Sequence, residues 1–372
     1  MNKKSPRIAL VYDWVNQLGG AERVLLALHR LWPQAPLFTL VHHHSPQTAW
    51  ASSFEVKTSF LQKLPLAARK HYLYLPLHRL AFESFDFTGF DLVISLTSTN
   101  AKAIKVPPHC LHLSYCLTPN RYLWQNSYLP PFLKKIDQVF PKIRKILQEK
   151  DRKTAQNPDH FFSISSTVQE RIKKHYQRSS DLIYPGINTQ KFHLPKKPLS
   201  RKSFLLVSRL VPYKNIPLAI KAANYLKIPL TIVGSGRLET ALKEIAGPTV
   251  KFTGPISDQK LLRLYQEAFA LICPQEEDFG LVALEAQASG TPVIGLKKGG
   301  NLETIIPQKT GLFFAHPQLK SLIQAIEKFK HLKFSPQACR NNALRFSEKT
   351  FMLDFERKTK KIWQKHQKTI SW

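Results

Sequence analysis

The chain contains the run Cys273-Pro-Gln-Glu-Glu-Asp-Phe-Gly-Leu-Val-Ala-Leu-Glu285-Ala-Gln-Ala-Ser-Gly290-Thr-Pro-Val-Ile294. The apolar residues 268–272 just before it predict a buried strand, and residues 281–289 predict a helix that ends at Gly290. Residues 292–296 then predict a second strand. A strand, a helix and a strand in this order form a βαβ unit, so we predict an α/β fold built on parallel sheets.

Two glutamates in this run, Glu277 and Glu285, are candidate site residues. Glu277 is predicted to lie in a loop at the carboxyl end of a strand, just before a helix N-terminus, where open α/β sheets bind ligands and anions are stabilised. Glu285 lies in a helix that is otherwise almost entirely apolar. A buried carboxylate needs hydrogen-bond donors, and sugar hydroxyls can supply them. The alternative is a surface loop plus a half-buried glutamate satisfied by backbone groups.

Length and composition favour two folded domains. The chain has 372 residues, of which 43% are hydrophobic, and this is enough for two α/β cores. Cys110, Cys116, Cys273 and Cys339 show neither metal-ligand spacing nor a dense disulfide pattern, which fits a reducing cytosol. The first apolar segment is too short for a signal peptide, and no apolar run is long enough to predict a transmembrane helix. We therefore expect a cytoplasmic protein.

The charge is strongly basic. The chain has 55 Lys and Arg against 25 Asp and Glu, a formal charge of +30 and a pI near 10.0. Nucleic acid, an anionic membrane and a phosphate-rich substrate are the candidate partners, and an organism-wide basic bias is the alternative.

The distribution of the charge favours a membrane surface over nucleic acid. Residues 132–153 and 61–80 interleave basic and apolar side chains, as expected of segments that lie on anionic lipid. The alternative is that the apolar side chains face the domain core. Because zinc-finger spacing and RNA-binding aromatic motifs are missing from the sequence, we expect no nucleic-acid partner.

The N-terminal half begins with a predicted strand over residues 7–14, followed by Gly19-Gly20 and an amphipathic helix over residues 22–31. A glycine pair between strand and helix lets backbone N–H groups approach a ligand closely, although such turns are also common without one. Further strands are predicted over residues 92–96, 112–116 and 161–165.

A second series of strands and helices starts after a Pro- and Lys-rich linker over residues 194–202. Its predicted elements are strand 204–207, helix 216–226, strand 230–233, helix 237–245 and strand 249–252, which ends at Gly254-Pro255. The two series predict two Rossmann-like halves.

Two cations, Arg209 and Lys214, follow the first strand of this second half. The loop after that strand lies at the ligand-binding edge of a parallel sheet. There the guanidinium fork of Arg and the compact charge of Lys suit a diphosphate. The alternative is that both are ordinary surface residues of a basic protein.

These features resemble the retaining glycosyltransferases of family 4, especially the bacterial mannosyltransferase-like branch. The resemblance covers nearly the whole chain. Besides the glutamate run and the Arg209–Lys214 loop, its motifs are Asp13-Trp14 with Gly19-Gly20-Ala21-Glu22, Phe85-Asp86, and residues 91–95, 115–124, 183–188 and 299–303.

The resemblance implies the GT-B architecture, in which two Rossmann-like domains face each other across a cleft. We expect an acceptor-side domain over residues 1–195 plus 352–372 and a donor-binding domain over residues 196–351. The last helix of such proteins usually returns to the N-terminal domain. The apolar spacing of Phe351, Phe355, Ile362 and Trp363 fits that helix.

The resemblance also implies roles for individual residues. Arg209 and Lys214 would hold the donor diphosphate and stabilise the leaving group, and Glu277 would contact the transferred hexose. These three are the predicted catalytic residues. The predicted donor-binding residues are Glu285 for the ribose, the backbone of Phe279, Gly280 and Leu281 for anions, Gly254 and Pro255 beside the base, and Gly19 and Gly20 for the phosphates.

One position departs from the family. Relatives commonly have Cys-His-Thr-Pro where this chain has Cys116-Leu117-Thr118-Pro119, and that histidine faces the sugar in relatives. Leu117 therefore leaves open full activity, the usual hexose and the usual acceptor. His112 is predicted to be a core residue rather than a substitute.

The resemblance, together with these residues, thus implies a retaining hexosyltransferase that would move mannose from GDP-mannose to a glycan or lipid-linked acceptor in cell-envelope polysaccharide synthesis. Neither a metal nor a cofactor is expected, and contact with an anionic membrane is expected at the cytoplasmic face. A UDP-sugar donor, a non-catalytic sugar-nucleotide or glycan-binding relative, a GT-B epimerase or phosphorylase, and a polyanion-binding protein remain as alternatives.

Overall fold

A computed structural model describes residues 6–125, 141–197 and 199–370. The chain forms two compact units, one from Met1–Tyr184 with Phe351–Trp372 and the other from Pro185–Thr350. We refer to them as unit 1 and unit 2. The assignment of an acceptor side and a donor side to these units stays a prediction.

Unit 1 is built on a sheet in which every paired strand is parallel, in the order β3-β2-β1-β4-β5-β6-β7. Its strands are β1 Ile8–Tyr12, β2 Leu37–Thr39, β3 Val56–Thr58, β4 Leu92–Thr97, β5 Leu111–Cys116, β6 His160–Ser163 and β7 Asp181–Leu182. The central strands β4 and β5 are buried along their whole length, which explains why their sequences are near-continuous apolar runs.

The described α-helices of unit 1 are α1 Gly20–Leu31, α2 Ala67–Lys70, α3 His78–Glu83, α4 Arg121–Trp124, α5 Pro141–Thr154, α6 Ser166–Tyr176 and α14 Glu348–Ile370, the last of which begins in unit 2. Short 3₁₀ helices cover Pro46–Ser53, Phe60–Lys63, His71–Leu77 and Ala101–Ala103. Residues 132–140 of the predicted basic amphipathic segment lie outside the described residues.

The C-terminal helix α14 packs on unit 1, as predicted. Phe351 and Phe355 on its inner face are buried. The ring of Phe355 lies 5.4 Å from the ring of Tyr115 on β5 and 5.3 Å from the ring of Phe162 on β6. These aromatic contacts attach α14 to unit 1.

Unit 2 repeats the same design with a sheet in the order β10-β9-β8-β11-β12-β13, again with parallel pairs. Its strands are β8 Ser203–Val207, β9 Leu230–Val233, β10 Val250–Gly254, β11 Ala268–Cys273, β12 Val293–Leu296 and β13 Gly311–Phe314. Its described α-helices are α7 Ile216–Leu226, α8 Glu239–Glu244, α9 Asp258–Glu267, α10 Leu281–Ala288, α11 Asn301–Thr304, α12 Leu319–Lys330 and α13 Pro336–Leu344.

The predicted βαβ unit is confirmed as β11, α10 and β12. Because all paired strands of this sheet are parallel, the loops after β8, β10, β11 and β12 leave the same edge of it. The predicted site residues of unit 2 are distributed over this edge. None of the described helices is long and apolar enough to cross a membrane.

Candidate functional site

The centre of the candidate site is an ion pair between two predicted catalytic residues. The Nζ atom of Lys214 lies 2.6 Å from Oε1 of Glu277, and their side chains are 17% and 19% exposed. The amide Nε2 of Gln275 donates to the same carboxylate oxygen. A charge pair that is mostly shielded from water yet partly exposed can bind a charged, hydroxyl-rich ligand with little further loss of hydration.

Local backbone structure places Lys214 there. After β8 the chain makes a 3₁₀ turn over Pro212–Lys214, and Asn215 then adopts a left-handed conformation with φ of 48°. The Asn215 side chain donates to the carbonyl of Pro274 over 3.3 Å. This contact joins the loop after β8 to the loop after β11, so Lys214 and Glu277 meet although 62 residues lie between them in the sequence.

Arg209 is exposed on the same loop, close to Tyr213. Its Nη2 atom donates to the hydroxyl of Tyr213 over 2.5 Å. The Lys214 ammonium lies 5.7 Å from the centre of the Tyr213 ring. Tyr213 therefore links the two cations, and the sequence prediction missed it, although an aromatic residue between two basic ones was a usable signal.

The helix N-terminus predicted as an anion site is present at α10. Gly280 is its N-cap with φ of 108°, a left-handed conformation that favours glycine. Phe279 is buried, and Leu281 is the first helical residue. The backbone N–H groups that begin this helix lie only a few residues after Glu277, so an anion bound there would lie near the ion pair.

A second glycine pair supports this loop from beneath. The N–H of Gly300 donates to the carbonyl of Glu277 over 2.7 Å. A Cβ atom on Gly299 would collide with the backbone of Glu277, and one on Gly300 with the backbone of Phe279. The loop of Gly299 and Gly300 is therefore in direct backbone contact with the loop of Glu277 and Phe279, which explains why glycines occur at both positions.

Asn301 also fixes this part of the site, and the sequence prediction did not select it. It is fully buried, and its Nδ2 atom donates to the carbonyls of Gln275 (3.1 Å) and Leu296 (3.0 Å). It thus connects the carboxyl ends of β11 and β12. The available signal was its place directly after the Gly299-Gly300 pair.

Glu285 lies on α10 and is 6% exposed. The hydroxyl of Tyr265, on α9, donates to its Oε2 atom over 3.1 Å. The expectation that this carboxylate is buried is therefore met. Its contact with a donor ribose stays a prediction.

Gly254 and Pro255 leave the end of β10 at the same sheet edge. Gly254 has φ of 66°, and its carbonyl accepts the N–H of Gly234 over 3.1 Å. Their place beside a donor base stays a prediction. The nearby glycines Gly234 and Gly236 leave no space for a Cβ against the backbone of Ser208 and Leu210, so the loop after β9 lies directly on the loop that contains Arg209.

Gly19 and Gly20 belong to unit 1, at the loop between β1 and α1. A buried glutamate that the prediction did not select, Glu22, supports this loop. Its carboxylate accepts the hydroxyl of Tyr12 over 2.7 Å and the N–H of Gly19 over 2.8 Å. The contact of the two glycines with a donor phosphate stays a prediction.

The segment after β5 contains Leu117, which is buried. His112, one strand length earlier, is a core residue as predicted. Its Nε2 atom lies 2.9 Å from Oγ of Ser95, and complete burial lowers the pKa of its imidazole to about 3. It therefore does not replace the histidine that the family resemblance implies at position 117.

A cavity of about 530 Å³ lies in unit 1 beside the 3₁₀ helix Pro46–Ser53. The residues that line it include His42, His44, Ser45, Thr48, Phe54 and Gln62. Burial, together with the neighbouring His44 and His43, lowers the pKa of His42, so its imidazole is neutral at pH 7. The wall of the cavity is joined to the β1–α1 loop, because Trp50 Nε1 donates to the carbonyl of Gln17 over 3.0 Å.

Within residues 6–125, 141–197 and 199–370, no group of three His, Cys, Asp or Glu side chains is arranged to hold a metal ion. The four cysteines are free and buried. Burial raises the pKa of the Cys273 thiol, which lies directly before the glutamate loop, so this thiol stays protonated.

The sequence of unit 2 matches a known family. The model described as glycosyl transferases group 1 matches residues 187–346, the range that contains Arg209, Lys214, Glu277 and Glu285. The match covers less than half of the chain, within unit 2.

Two curated relatives of this chain illustrate the range of similarity. The D-inositol 3-phosphate glycosyltransferase of Mycobacteroides abscessus is 32% identical over 193 residues, which is 45% of this chain and 42% of the relative. The GDP-mannose-dependent monoacylated alpha-(1-6)-phosphatidylinositol monomannoside mannosyltransferase of Corynebacterium glutamicum is 38% identical over 121 residues, 28% of this chain and 32% of the relative. The chain thus spans less than half the length of these relatives.

Solved structures match over a much longer range. Anabaena HepE in complex with UDP and glucose has a TM-score of 0.70 and 16% identity, and the match covers 96% of this chain and 100% of that one. At this identity the likeness concerns the fold alone. It confirms the predicted α/β fold of the GT-B class.

Proposed function

We propose that the protein is a retaining glycosyltransferase that transfers a hexose, with mannose from GDP-mannose as the first donor to test, to a glycan or lipid-linked acceptor. The observation that carries the proposal is the Lys214–Glu277 ion pair just before the N-terminus of α10. The match of residues 187–346 to the group 1 glycosyl transferase model supports the reaction class. The name of the Corynebacterium relative supports mannose and its GDP-linked donor.

The proposed chemistry follows from where charge develops. As the bond between the sugar and the diphosphate breaks, negative charge accumulates on the leaving phosphate and positive charge on the sugar ring. Lys214 and Arg209, preorganised by Tyr213 and Asn215, would stabilise the phosphate. The N-terminus of α10 adds backbone N–H groups, whose partial positive charge would also stabilise the phosphate. Glu277 would bind the hexose hydroxyls and stabilise the oxocarbenium-like state from the face where the acceptor attacks.

Unit 1 is the proposed acceptor side. Its cavity combines the neutral imidazole of His42 with the hydroxyl of Ser45 and the apolar ring of Phe54. Sugar rings present hydroxyls at their edges and C–H groups on their faces, and such mixed surfaces bind them. We infer that this cavity receives part of a glycan acceptor.

An anionic membrane surface is the proposed partner. On helix α5, Ile143, Ile146 and Leu147 are 47%, 54% and 43% exposed, and Lys142 and Lys145 lie among them. Leu66, Leu73 and Leu80 are also exposed, next to basic residues of the 61–80 segment. Apolar side chains flanked by cations suit the interface of a bilayer that contains anionic lipid, where a lipid-linked acceptor would be found.

Donor binding tests the proposal. We expect 1 mM GDP to raise the unfolding temperature of the purified protein, and UDP to raise it less, both without added metal and with EDTA present. Labelled GDP-mannose should then transfer to a membrane lipid extract. A larger shift with UDP would assign a UDP-sugar donor. If neither nucleotide at millimolar concentration changes the unfolding temperature, the proposal is wrong.

A non-catalytic relative is the second candidate, favoured by the buried Leu117 in place of the family's histidine. It would give the nucleotide-dependent shift but release no GDP from GDP-mannose in the presence of acceptor extract. Release of GDP together with a labelled product excludes it.

A further inference from the structure

Unit 1 contains a fully buried ion pair. The Nζ atom of Lys102 lies 2.6 Å from Oδ1 of Asp151, and their side chains are 0% and 2% exposed. The same ammonium donates to the carbonyl of Thr99 over 2.6 Å. Removing two charges from water costs several kcal/mol, and a well-packed apolar pair is often as stable or more stable. Stability alone therefore gives little reason for this pair.

The pair connects the carboxyl ends of two central strands. Lys102 follows β4 in the 3₁₀ turn Ala101–Ala103, and Asp151 lies on α5. The second oxygen of Asp151, Oδ2, accepts the indole N–H of Trp124 over 2.7 Å. Trp124 is the last residue of α4, which ends the segment after β5.

The segment after β5, residues 117–124, is held at further points. On α5, Arg144 Nε and Gln148 Nε2 both donate to the carbonyl of Leu123, over 2.9 and 2.8 Å. On α6, the Tyr176 hydroxyl accepts the N–H of Asn120 over 3.1 Å. The Lys102 ammonium lies 5.1 Å from the centre of the Tyr176 ring, so the ion pair contacts this support as well.

This segment follows the carboxyl end of β5, and ligands bind at that edge of a parallel sheet. Leu117 within it is buried and has no polar side-chain group. The position of the segment therefore depends on the hydrogen bonds made by its other residues. We propose that Lys102 and Asp151 are positioning residues: they fix residues 117–124 in the geometry that transfer requires. The inference rests on the proposed function and adds to it a role for residues that are too deeply buried to touch the substrate.

The key variant is the double substitution Lys102→Met with Asp151→Leu, which removes both charges and keeps side chains of comparable size. We expect its unfolding temperature to fall by only a few degrees, about the effect of the Trp124 N–H and the Thr99 carbonyl each losing one partner, because neither charge is left unpaired. The shift caused by GDP should be unchanged, since the proposed donor site is in unit 2. The turnover number for transfer should fall about 10- to 100-fold, as expected when a reacting group is misplaced by about 1 Å.

Two further measurements separate positioning from general structure. Amide hydrogen exchange of residues 117–124 should become at least about tenfold faster in the double variant, with the strands β1 and β4 unchanged. Trp124→Phe, which removes a single hydrogen bond to Asp151, should lower turnover in the same direction with an unchanged KM for the donor. The matched control is Lys243→Met with Glu239→Leu, an exposed ion pair on α8 in unit 2 that should affect neither quantity.

The outcomes are distinguishable. A double variant with wild-type turnover, or with unaltered exchange in residues 117–124, overturns the inference. If the double variant does not fold, Asp151→Asn and Trp124→Phe decide by the same two readouts. If the wild type binds neither GDP nor UDP, the proposed function fails, and with it the catalytic meaning of the pair. Exchange that still accelerates in the variant would then show a purely structural role for the pair.

Discussion

Lys214 and Glu277 hold each other at 2.6 Å, and each therefore limits what the other can bind. A diphosphate would compete with the Glu277 carboxylate for the Lys214 ammonium, while a hexose hydroxyl would compete for the carboxylate. The two residues should consequently differ in their effect on donor binding although both are needed for transfer.

We predict that Lys214→Ala removes most of the GDP-dependent rise in unfolding temperature and lowers transfer at least about 100-fold, because it deletes a preorganised cation. Glu277→Gln should lower transfer by a similar factor but leave the GDP-dependent shift intact or larger, because it frees the ammonium. Thermal shift and initial rates check this, with Lys243→Ala as a control for loss of a surface lysine. Near-normal turnover in both variants would refute the site.

At this scale the sequence predicted which residue types would occur at the sheet edge, because parallel strands bring their carboxyl ends together. It did not predict Tyr213, Asn301 or Glu22 as parts of the site. Their importance depends on hydrogen bonds to distant backbone atoms, such as the carbonyls that Asn301 contacts, and single-sequence patterns contain no information on those partners.

Helix α5 illustrates the element scale. Its sequence predicts an amphipathic helix, and either the apolar or the polar face could have pointed inward. The structure shows that Arg144, Gln148 and Asp151 make the inward hydrogen bonds, while Ile143 and Ile146 are exposed. Periodicity alone shows that a helix has an apolar face and a polar face. It does not show which of them points inward, because buried polar groups can satisfy one another.

We predict that the protein sediments with vesicles of phosphatidylglycerol but only weakly with vesicles of phosphatidylcholine at the same ionic strength. Combined substitution of Ile143 and Ile146 by Ser should reduce the bound fraction several-fold, since each exposed apolar side chain loses its contact with the bilayer. The matched control is Tyr225→Ser, an exposed apolar substitution in unit 2. Equal binding to both lipids, or no effect of the double substitution, would contradict the membrane role of α5.

Other elements agree with the sequence to within a few residues. Helix α8 is shorter than predicted, Glu239–Glu244 instead of residues 237–245, because the chain before it is held by the bond from the Leu238 N–H to the carbonyl of Leu210. The 61–80 segment forms short helical pieces with a 3₁₀ stretch over His71–Leu77 rather than one amphipathic helix. Pro76 within that stretch limits continuous helix formation.

On the scale of the whole molecule, buried neutral histidines are concentrated in unit 1. Burial lowers the pKa of His71 to about 4, that of His175 to about 4 and that of His112 to about 3. In the unfolded chain these groups titrate near 6.5. Between these values the unfolded state binds more protons than the folded state, so stability falls as the pH decreases from about 6.5 toward 4.

We therefore predict that acid weakens unit 1, with up to about 1.4 kcal/mol per pH unit from each of the buried His71 and His112 inside its window. The half-buried His175 contributes less, because water screens its interactions. All six tryptophans lie in residues 1–184 or 351–372, so their fluorescence reports this unit alone during urea unfolding. His71→Gln should flatten the dependence of the unfolding midpoint on pH, and the exposed His316→Gln should leave it unchanged. A midpoint that is constant between pH 6.5 and 4.5 would contradict this prediction.

The backbone contacts at Gly234, Gly236, Gly299 and Gly300 restrict how this chain can diversify. The loops that contain these glycines lie directly on the backbone of neighbouring loops, with no room for even one methyl group. An insertion or a larger residue in one of these loops would therefore push the neighbouring loop away. Laboratory evolution toward a new activated sugar should therefore accept changes at the half-buried Tyr213 and Glu276 far more often than at these four glycines. Mutational libraries for altered donor choice are best confined to those two positions.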